Sequence, residues 1–180
     1  ARPELEPKRC EGNLFMALKE GWQGRTYEDF EVGDVYPHPI GRTVTQTDNI
    51  WVTLLTVNNN PVHFDQVYAE QTEFKGPLVD STLTLAIATG LSVSDISQNA
   101  INLGWDEIRL PNPVFNDDTI YAQSEVLEMR LSQSRPSMGI IRVKTTGFNQ
   151  DGRIVIEFKR TIMVYRRGQV PKHPRPFPAP

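Results

Sequence analysis

The sequence predicts an α+β domain in which an antiparallel sheet wraps around one long, buried helix. Two observations lead to this fold class. Residues 79–96 keep helical spacing but are apolar on almost every face, which is typical of a buried helix. Four candidate strands follow it along the chain, bounded by turn signals. One buried helix followed by an antiparallel sheet favours a sheet that packs on that helix.

The segment ahead of the buried helix is expected to begin with a short strand. This strand covers the sequence TVTQT and begins near Gly41. A helix is predicted over residues 48–57 from the spacing of its apolar side chains, with Asp48 near its start. Pro61 forces Asn60 toward an extended conformation, so this helix must end before Asn60. Residues 58–63 are therefore predicted to form a shaped loop, a common location for functional groups.

The strands are expected at residues 101–110, 119–129, 139–148 and 154–165. The last strand alternates most clearly, since its apolar residues share one face and only Arg160 interrupts the pattern. Asp151 and Gly152 ahead of it are typical of a tight hairpin turn. Together the four strands are predicted to form an antiparallel meander. Asp80 or Ser81 is expected to cap the buried helix.

The 180 residues suit one domain with two extensions. The domain is expected over residues 24–167, after an N-terminal extension (1–23) and before a proline-rich tail (168–180). A short helix over residues 13–20 has weak support. The net charge of −3 does not favour nucleic-acid binding. No apolar run reaches the length of a membrane span, and the first ten residues lack the apolar core of a signal peptide.

The cysteine and histidine content gives no support for a disulfide or a metal site. Cys10 is the only cysteine, so no intrachain disulfide can form, and a cytoplasmic location is expected. His38 and His173 are remote from each other, and no metal-ligand spacing is present. No glycine-rich nucleotide loop is present either. We therefore expect no metal and no tightly held cofactor.

The stretch NNNPVHFD, residues 58–65, holds the most reactive side chain of the predicted loop. An imidazole such as that of His63 can exchange protons at physiological pH. A single loop histidine is also commonly a surface or structural residue. The residues alone therefore leave both interpretations open.

Asn60-Pro61-Val62-His63, followed by Ala69 and by the stretch GPLVDSTL, resembles the MaoC-like dehydratase family. These are the (R)-specific enoyl-CoA hydratases with a hotdog fold. Their motif is glycine, aspartate, any residue, asparagine, proline, an aliphatic residue and histidine. The resemblance covers roughly residues 27–165, and the predicted order of elements agrees with it. It implies a single hotdog domain that hydrates or dehydrates an acyl-CoA thioester, with coenzyme A carried by the substrate.

The resemblance also implies roles for individual residues. His63 would transfer protons to and from a bound water molecule. The backbone amide of Ser81, at the start of the central helix, would polarise the thioester carbonyl. This is physically coherent because hydration builds negative charge on that oxygen, and a helix N-terminus offers free amides and a positive dipole end.

The sequence departs from the family pattern in two places. Val57-Asn58 stand where the motif has glycine and aspartate, and Asp80-Ser81 replace the histidine-glycine pair that opens the central helix in the family. An asparagine can orient water but cannot take its proton. Asn58 could position water while His63 transfers all protons, Asp80 could supply the displaced carboxylate, or the protein could bind acyl-CoA without turnover. A fourth candidate is Asp65, but we prefer it as the cap of a short helix through residues 68–70.

The stretches QTEFKGPLVDS, NLGWDEIRLPNPVF and SQSRPSMGI resemble one branch of the family, the mesaconyl-CoA or β-methylmalyl-CoA dehydratases and itaconyl-CoA hydratases. The resemblance implies a short, branched substrate with a second, free carboxylate. Arg135 is the first candidate to bind it, because a guanidinium binds a carboxylate in bidentate fashion. A solvated turn arginine is the equal alternative. Arg109 could bind that carboxylate or the coenzyme A phosphates.

A single hotdog leaves sheet edges that a second copy can cover, so we expect at least a homodimer. Its substrate would be an acyl-CoA thioester, with no nucleic acid and no membrane as partner. A non-catalytic acyl-CoA-binding subunit and an acyl-CoA thioesterase are the alternatives.

Overall fold

The computed structural model describes residues 21–172. Its helices are α1 (Gln46–Thr56), α2 (Gln66–Gln71) and α3 (Ser81–Leu91), and π-helical turns at Val93–Ser97 continue α3. Its strands are β1 (Val35–Pro37), β2 (Arg42–Thr43), β3 (Ala100–Arg109), β4 (Thr119–Leu131), β5 (Met138–Phe148) and β6 (Ile154–Tyr165). Cys10, His173 and the predicted helix over residues 13–20 lie outside the described residues.

The strands form one antiparallel sheet in the order β1-β4-β5-β6-β3, with β2 paired to the start of β4. Helix α3 packs against β4, β5 and β6. The fold is therefore the expected α+β hotdog, a sheet that curls around one central helix. None of the helices within residues 21–172 has the length and apolar character needed to cross a bilayer.

One face of α3 packs closely on the sheet. Leu83, Ala88 and Leu91 are buried there against strand residues such as Phe158. Burying a leucine side chain contributes about 1.5–3 kcal/mol. Gly147 on β5 has no room for a side chain, because an added Cβ would lie 2.6 Å from Cγ2 of its sheet neighbour Ile156. The Cβ of Ala88 on α3 would be 3.6 Å away, an ordinary contact.

The predicted helix boundaries are largely confirmed. Helix α1 begins two residues earlier than predicted because Thr45 is its N-cap, and the side chain of Asp48 bonds back to the Thr45 amide. The helix ends at Thr56, with Val57 as its C-cap, before Asn60 as expected. Helix α3 was expected to be buried on every face, and this is wrong for the single chain. Its outer face, which includes Ala86 and Gly90, is exposed.

The predicted strands lie at the expected positions in the sequence, but their order in the sheet differs from the prediction. Strand β6 begins and ends where predicted, and the hairpin before it turns at Gly152 with φ 75°. The meander, however, contains only β4, β5 and β6, because β3 joins the sheet beside β6. Strand β1 was not predicted, and β2 is shorter than TVTQT.

Arg160 does not interrupt the alternation of β6. Its side chain points to the inner face, is 2% exposed and donates a hydrogen bond to the Ser92 hydroxyl at the end of α3 (2.9 Å). The helix C-terminus is a favourable place for a cation, because the macrodipole is negative there. Burial nevertheless lowers the pKa of Arg160 to about 10.

Candidate active site

The predicted loop between α1 and α2 presents His63. Pro61–His63 form a single 3-10 turn, and the Asn60 side chain caps it by accepting from the Val62 amide (3.3 Å). His63 is 9% exposed, and its Nδ1 lies 2.9 Å from the Leu78 carbonyl oxygen. A carbonyl can only accept, so Nδ1 carries the proton. Within residues 21–172 nothing bonds to Nε2, which is left free to accept a proton.

Asp80 caps helix α3, as one of the two predicted candidates. Its side chain is buried, and Oδ1 accepts from the Thr82 amide (2.7 Å), the Thr82 hydroxyl (2.5 Å) and the Leu83 amide (3.2 Å). Burial raises the pKa of this carboxyl, but hydrogen bonds from Thr82, Asn58 and Leu83 outweigh that effect. The net pKa lies below its ordinary value, so Asp80 is an anion at neutral pH and a weak base.

The amide of Ser81 opens the same helix. Asp80 satisfies the next two amides, and no described residue accepts from the Ser81 N–H. This amide is therefore available at the positive end of the helix dipole. It has the chemistry needed to donate to a developing oxyanion.

Asn58 lies beside Asp80. Its Nδ2 donates to Oδ2 of Asp80 (2.6 Å), and its Oδ1 accepts from the Asn60 amide (3.1 Å). A carboxylate only accepts and a backbone amide only donates, so the orientation of the Asn58 side chain is fixed. One N–H and one oxygen lone pair remain available for water. Position 58 therefore lacks the carboxylate of the family motif, but the carboxylate of Asp80 is hydrogen-bonded to Asn58.

Asn49 on α1 joins these groups, and the sequence analysis did not identify it. It is fully buried and donates to the carbonyls of His63 and Leu78, both at 2.8 Å, and accepts from the Asp80 amide, also at 2.8 Å. The only buried residues of α1 are Asn49 and Thr53, one helical turn apart. Two polar residues at this spacing were the available signal, but the prediction used the apolar face instead.

The apolar face of α1 points outward. Leu54 is 72% exposed and Val57 is 85% exposed. Both line an open groove of about 490 Å³, together with Asn58 and Phe64. A second cavity, of about 240 Å³, contains Ser81 and is lined mainly by apolar residues: Phe74, Leu78, Val79, Leu110, Pro111, Pro113 and Val114.

The two predicted arginines lie at different places. Arg109 ends β3, one residue before Leu110 in the wall of the Ser81 cavity. Arg135 lies in the turn between β4 and β5, whereas α3 begins near the other end of β4, where Leu78 bridges to Phe115. The structure therefore does not bring Arg135 to His63 within one chain, and the roles of both arginines stay predictions.

Asp65 has the structural role that we preferred. It caps α2 by accepting from the Tyr68 amide (3.0 Å).

In residues 21–172 no group of three histidine, cysteine, aspartate or glutamate side chains is arranged to hold a metal ion. The site is thus built from His63, Asn58, Asp80, the Ser81 amide and Asn49.

A hotdog domain with a histidine loop ahead of its central helix defines the MaoC-like class of dehydratases. The comparisons with known proteins narrow this class. Residues 16–173 match the family described as mesaconyl-CoA hydratase. The chain belongs to this family.

Individual relatives agree with this assignment. The chain is 31% identical over 154 residues to the mesaconyl-CoA hydratase of Cereibacter sphaeroides, covering 85% of this chain and 45% of that protein. It is 32% identical over 154 residues to the beta-methylmalyl-CoA dehydratase of Chloroflexus aurantiacus, covering 85% and 43%. A crystal structure of a putative MaoC domain protein dehydratase from Chloroflexus aurantiacus superposes with a TM-score of 0.78 at 29% identity, covering 90% and 46%. The chain spans less than half the length of each.

Proposed function

We propose that this chain is a hydro-lyase domain that reversibly hydrates a short, branched enoyl-CoA, as in the interconversion of mesaconyl-CoA and β-methylmalyl-CoA. The two relatives are named for a hydratase and a dehydratase activity, which supports this reaction class. The observation that carries the proposal is the bonding of His63. Its Nδ1–H donates to the Leu78 carbonyl, three residues before Ser81, and no described residue bonds to its Nε2. The first amide of α3 is also free.

The reaction can be written with these groups alone. Nε2 of His63 takes a proton from water, and the water oxygen bonds to the β-carbon of the enoyl thioester. The electrons of the double bond move onto the thioester oxygen, where the Ser81 amide donates to it. The imidazolium then returns its proton to the α-carbon, which restores the thioester carbonyl. Dehydration follows the same steps in reverse.

Asn58 and Asp80 would act as a pair in this mechanism. The free N–H and lone pair of Asn58 would hold the attacking water, and Asp80 would hold Asn58 in place. Asp80 is unsuited to proton transfer because its pKa lies below the ordinary value and Oδ1 already accepts three hydrogen bonds. Among the alternatives of the sequence analysis, we therefore favour His63 as the group that transfers all protons.

The second carboxylate of a dicarboxylic substrate would be bound by a cation near the Ser81 cavity. The described lining of that cavity contains no charged side chain, and Arg109 lies next to it along the chain. We propose Arg109 for this role, or for the coenzyme A phosphates. Arg135 could reach the substrate only from a second subunit.

A homodimer is part of the proposal. Strand β3 is an edge of the sheet, and its exposed side chains include Ile101, Leu103 and Trp105, each more than 40% exposed. A long apolar edge strand favours pairing with another chain.

The test is turnover by the purified chain. β-Methylmalyl-CoA should be converted to mesaconyl-CoA, followed by chromatography of the CoA esters, and His63→Ala should lose that activity. Release of free thiol instead would identify a thioesterase. Tight binding of both CoA esters without any turnover would select the non-catalytic alternative and overturn the proposal.

A further inference from the structure

The family motif assigns no role to Asn49, yet both N–H groups and the oxygen of its side chain are hydrogen-bonded. Its exposed fraction is 0%, and its three hydrogen bonds join α1 to the His63 carbonyl, the Leu78 carbonyl and the Asp80 amide. Two of the partners only accept and one only donates. A flipped amide would lose all three bonds, so the orientation is fixed.

The Leu78 carbonyl connects Asn49 to the imidazole. This oxygen accepts from Asn49 Nδ2 at 2.8 Å and from His63 Nδ1 at 2.9 Å, which uses both of its lone pairs. Asn49 also holds the backbone of His63 through that residue's own carbonyl. Asn49 therefore contacts both the backbone of His63 and the acceptor that selects its tautomer. It adds to two backbone bonds of the acceptor segment, from Leu78 N–H to Val62 (3.0 Å) and from Val79 N–H to Val114 (2.9 Å).

We propose that Asn49 is a positioning residue, which holds the Leu78 carbonyl so that His63 keeps its proton on Nδ1 and presents Nε2 as the base. The Asn49–Asp80 bond ties this base to the start of α3, which carries the Ser81 amide. This proposal rests on the proposed function for its kinetic consequence but not for its structural one. A change of His63 tautomer can be measured without any substrate.

The first experiment is nitrogen NMR of the imidazoles in ¹⁵N-labelled protein. The chain has only three histidines, so the His63 signals can be assigned by substitution. The wild-type spectrum should show His63 as the Nδ1–H tautomer. In Asn49→Ala the Leu78 carbonyl loses the Asn49 hydrogen bond and is held only by the backbone bonds of its own segment. The tautomers should therefore mix, and kcat should fall roughly 100-fold with little change in KM. An Nε2–H tautomer in the wild type would overturn the proposal directly.

A second variant covers the case in which Asn49→Ala does not fold. Asn49→Asp keeps the size and the acceptor for the Asp80 amide. Its carboxyl can donate to one carbonyl only while it is protonated. The Nδ1–H tautomer and kcat should therefore both be lost as pH rises through the titration of the new carboxyl, a dependence that the wild type lacks. A pH profile identical to that of the wild type would contradict the proposal.

Asn149 provides a matched control. It is a second buried asparagine, 7% exposed, and its Oδ1 accepts from the amides of Asp151 (3.1 Å) and Arg153 (3.0 Å) in the β5–β6 hairpin. Asn149→Ala should lower stability but leave the His63 tautomer and the pH profile unchanged. If Asn49→Ala behaves in the same way, Asn49 is merely structural. If the wild type has no hydratase activity but the tautomer changes as expected, the proposed function fails and the positioning role stands.

Discussion

The two ends of helix α3 each lie beside a buried histidine, and the two histidines are bonded differently. At the N-terminal end, His63 uses only Nδ1. Beyond the C-terminal end, His38 uses both ring nitrogens: Nδ1 lies 3.1 Å from Asp95 and Nε2 lies 3.0 Å from the Ser124 hydroxyl. The His38 side chain is fully buried.

The surroundings of His38 resemble a serine–histidine–aspartate arrangement but do not form a site. Ser124 is 0% exposed, and its hydroxyl is shared with Thr145 (2.8 Å). No substrate can reach a nucleophile buried in this way. The comparison teaches that a buried histidine with both nitrogens satisfied supports the fold, whereas one with a free ring nitrogen can transfer protons.

The comparison predicts that the same substitution, histidine to alanine, mainly affects activity at one position and stability at the other. His63→Ala should reduce hydratase kcat about 1,000-fold, because the proton-transfer group is lost, and should cost less stability than His38→Ala, because only one hydrogen bond is lost. His38→Ala should keep kcat but cost about 2–4 kcal/mol of unfolding free energy, because it leaves a cavity and unsatisfied polar groups. Steady-state kinetics and urea unfolding of both variants measure the two effects. If His38→Ala folds but has an equally low kcat, the two histidines do not differ in role as described.

The second prediction concerns the displaced carboxylate. Asn58→Asp would place two carboxylates at the 2.6 Å contact between position 58 and Asp80. Such a pair shares one proton, so one pKa is raised in the folded state. Stability is then lost as pH rises above about 4, the ordinary value of an aspartate. We expect a loss of about 3 kcal/mol at pH 8 and less at pH 5, measured by urea unfolding.

The double variant Asn58→Asp/Asp80→Asn tests the same pair. It exchanges the carboxylate and the amide across one hydrogen bond, and asparagine is also a good helix N-cap. Most of the lost stability should return, and activity should return with it. Should the double variant be no more stable than Asn58→Asp alone, the two side chains do not interact as described.

Whether a feature at either end of α3 could be predicted depends on how far apart its interacting residues lie along the sequence. The helix limits and strand β6 follow from local signals, such as Pro61 and the alternation of residues 154–165. The loop with His63 and the cap Asp80 are equally local. The place of β3 beside β6 is not local, because any free sheet edge could have accepted that strand.

The missed residues share a non-local cause. Asn49 acts on groups 14, 29 and 31 residues away, so no spacing within α1 could show its role. Arg160 was interpreted as a break in the buried face because a charge is normally exposed. Its partner Ser92 is 68 residues away, at the end of α3. A helix terminus that accepts a buried cation is visible only in the folded chain.

A third prediction uses the pH dependence of His38. Burial lowers its pKa, and the hydrogen bond and charge of Asp95 offset this only in part, while Arg160 lowers the pKa further. Above 6.5, the ordinary value, both folded and unfolded His38 are neutral. As pH falls below 6.5 the unfolded state gains a proton first, so stability decreases until the folded histidine titrates.

Urea unfolding between pH 7.5 and 5 measures this loss. His38 contributes at most about 1.4 kcal/mol per pH unit, and His38→Gln should remove that part of the slope. The difference between the wild type and the variant isolates His38 from other titrating groups. The charged Arg25, which pairs with Asp95 (3.9 Å), is present in both proteins. Identical slopes for both proteins would show that folding does not lower the His38 pKa.

The smallest predicted effect concerns the backbone at the His63 end. Val57 ends α1 with φ 57° and ψ 27°, in the left-handed region, where the family motif has glycine. A β-branched residue there is strained, and its side chain is 85% exposed, so little packing offsets the strain. Val57→Gly should therefore raise the unfolding free energy by about 1 kcal/mol.

Val67→Gly, at an exposed position inside α2, should lower the unfolding free energy by about 0.5–1 kcal/mol, since glycine disfavours a helix interior. The same substitution should thus change stability with opposite signs in urea unfolding. A loss of stability at both positions would mean that Val57 is held without strain, and that the His63 end of the molecule carries no more backbone strain than the His38 end.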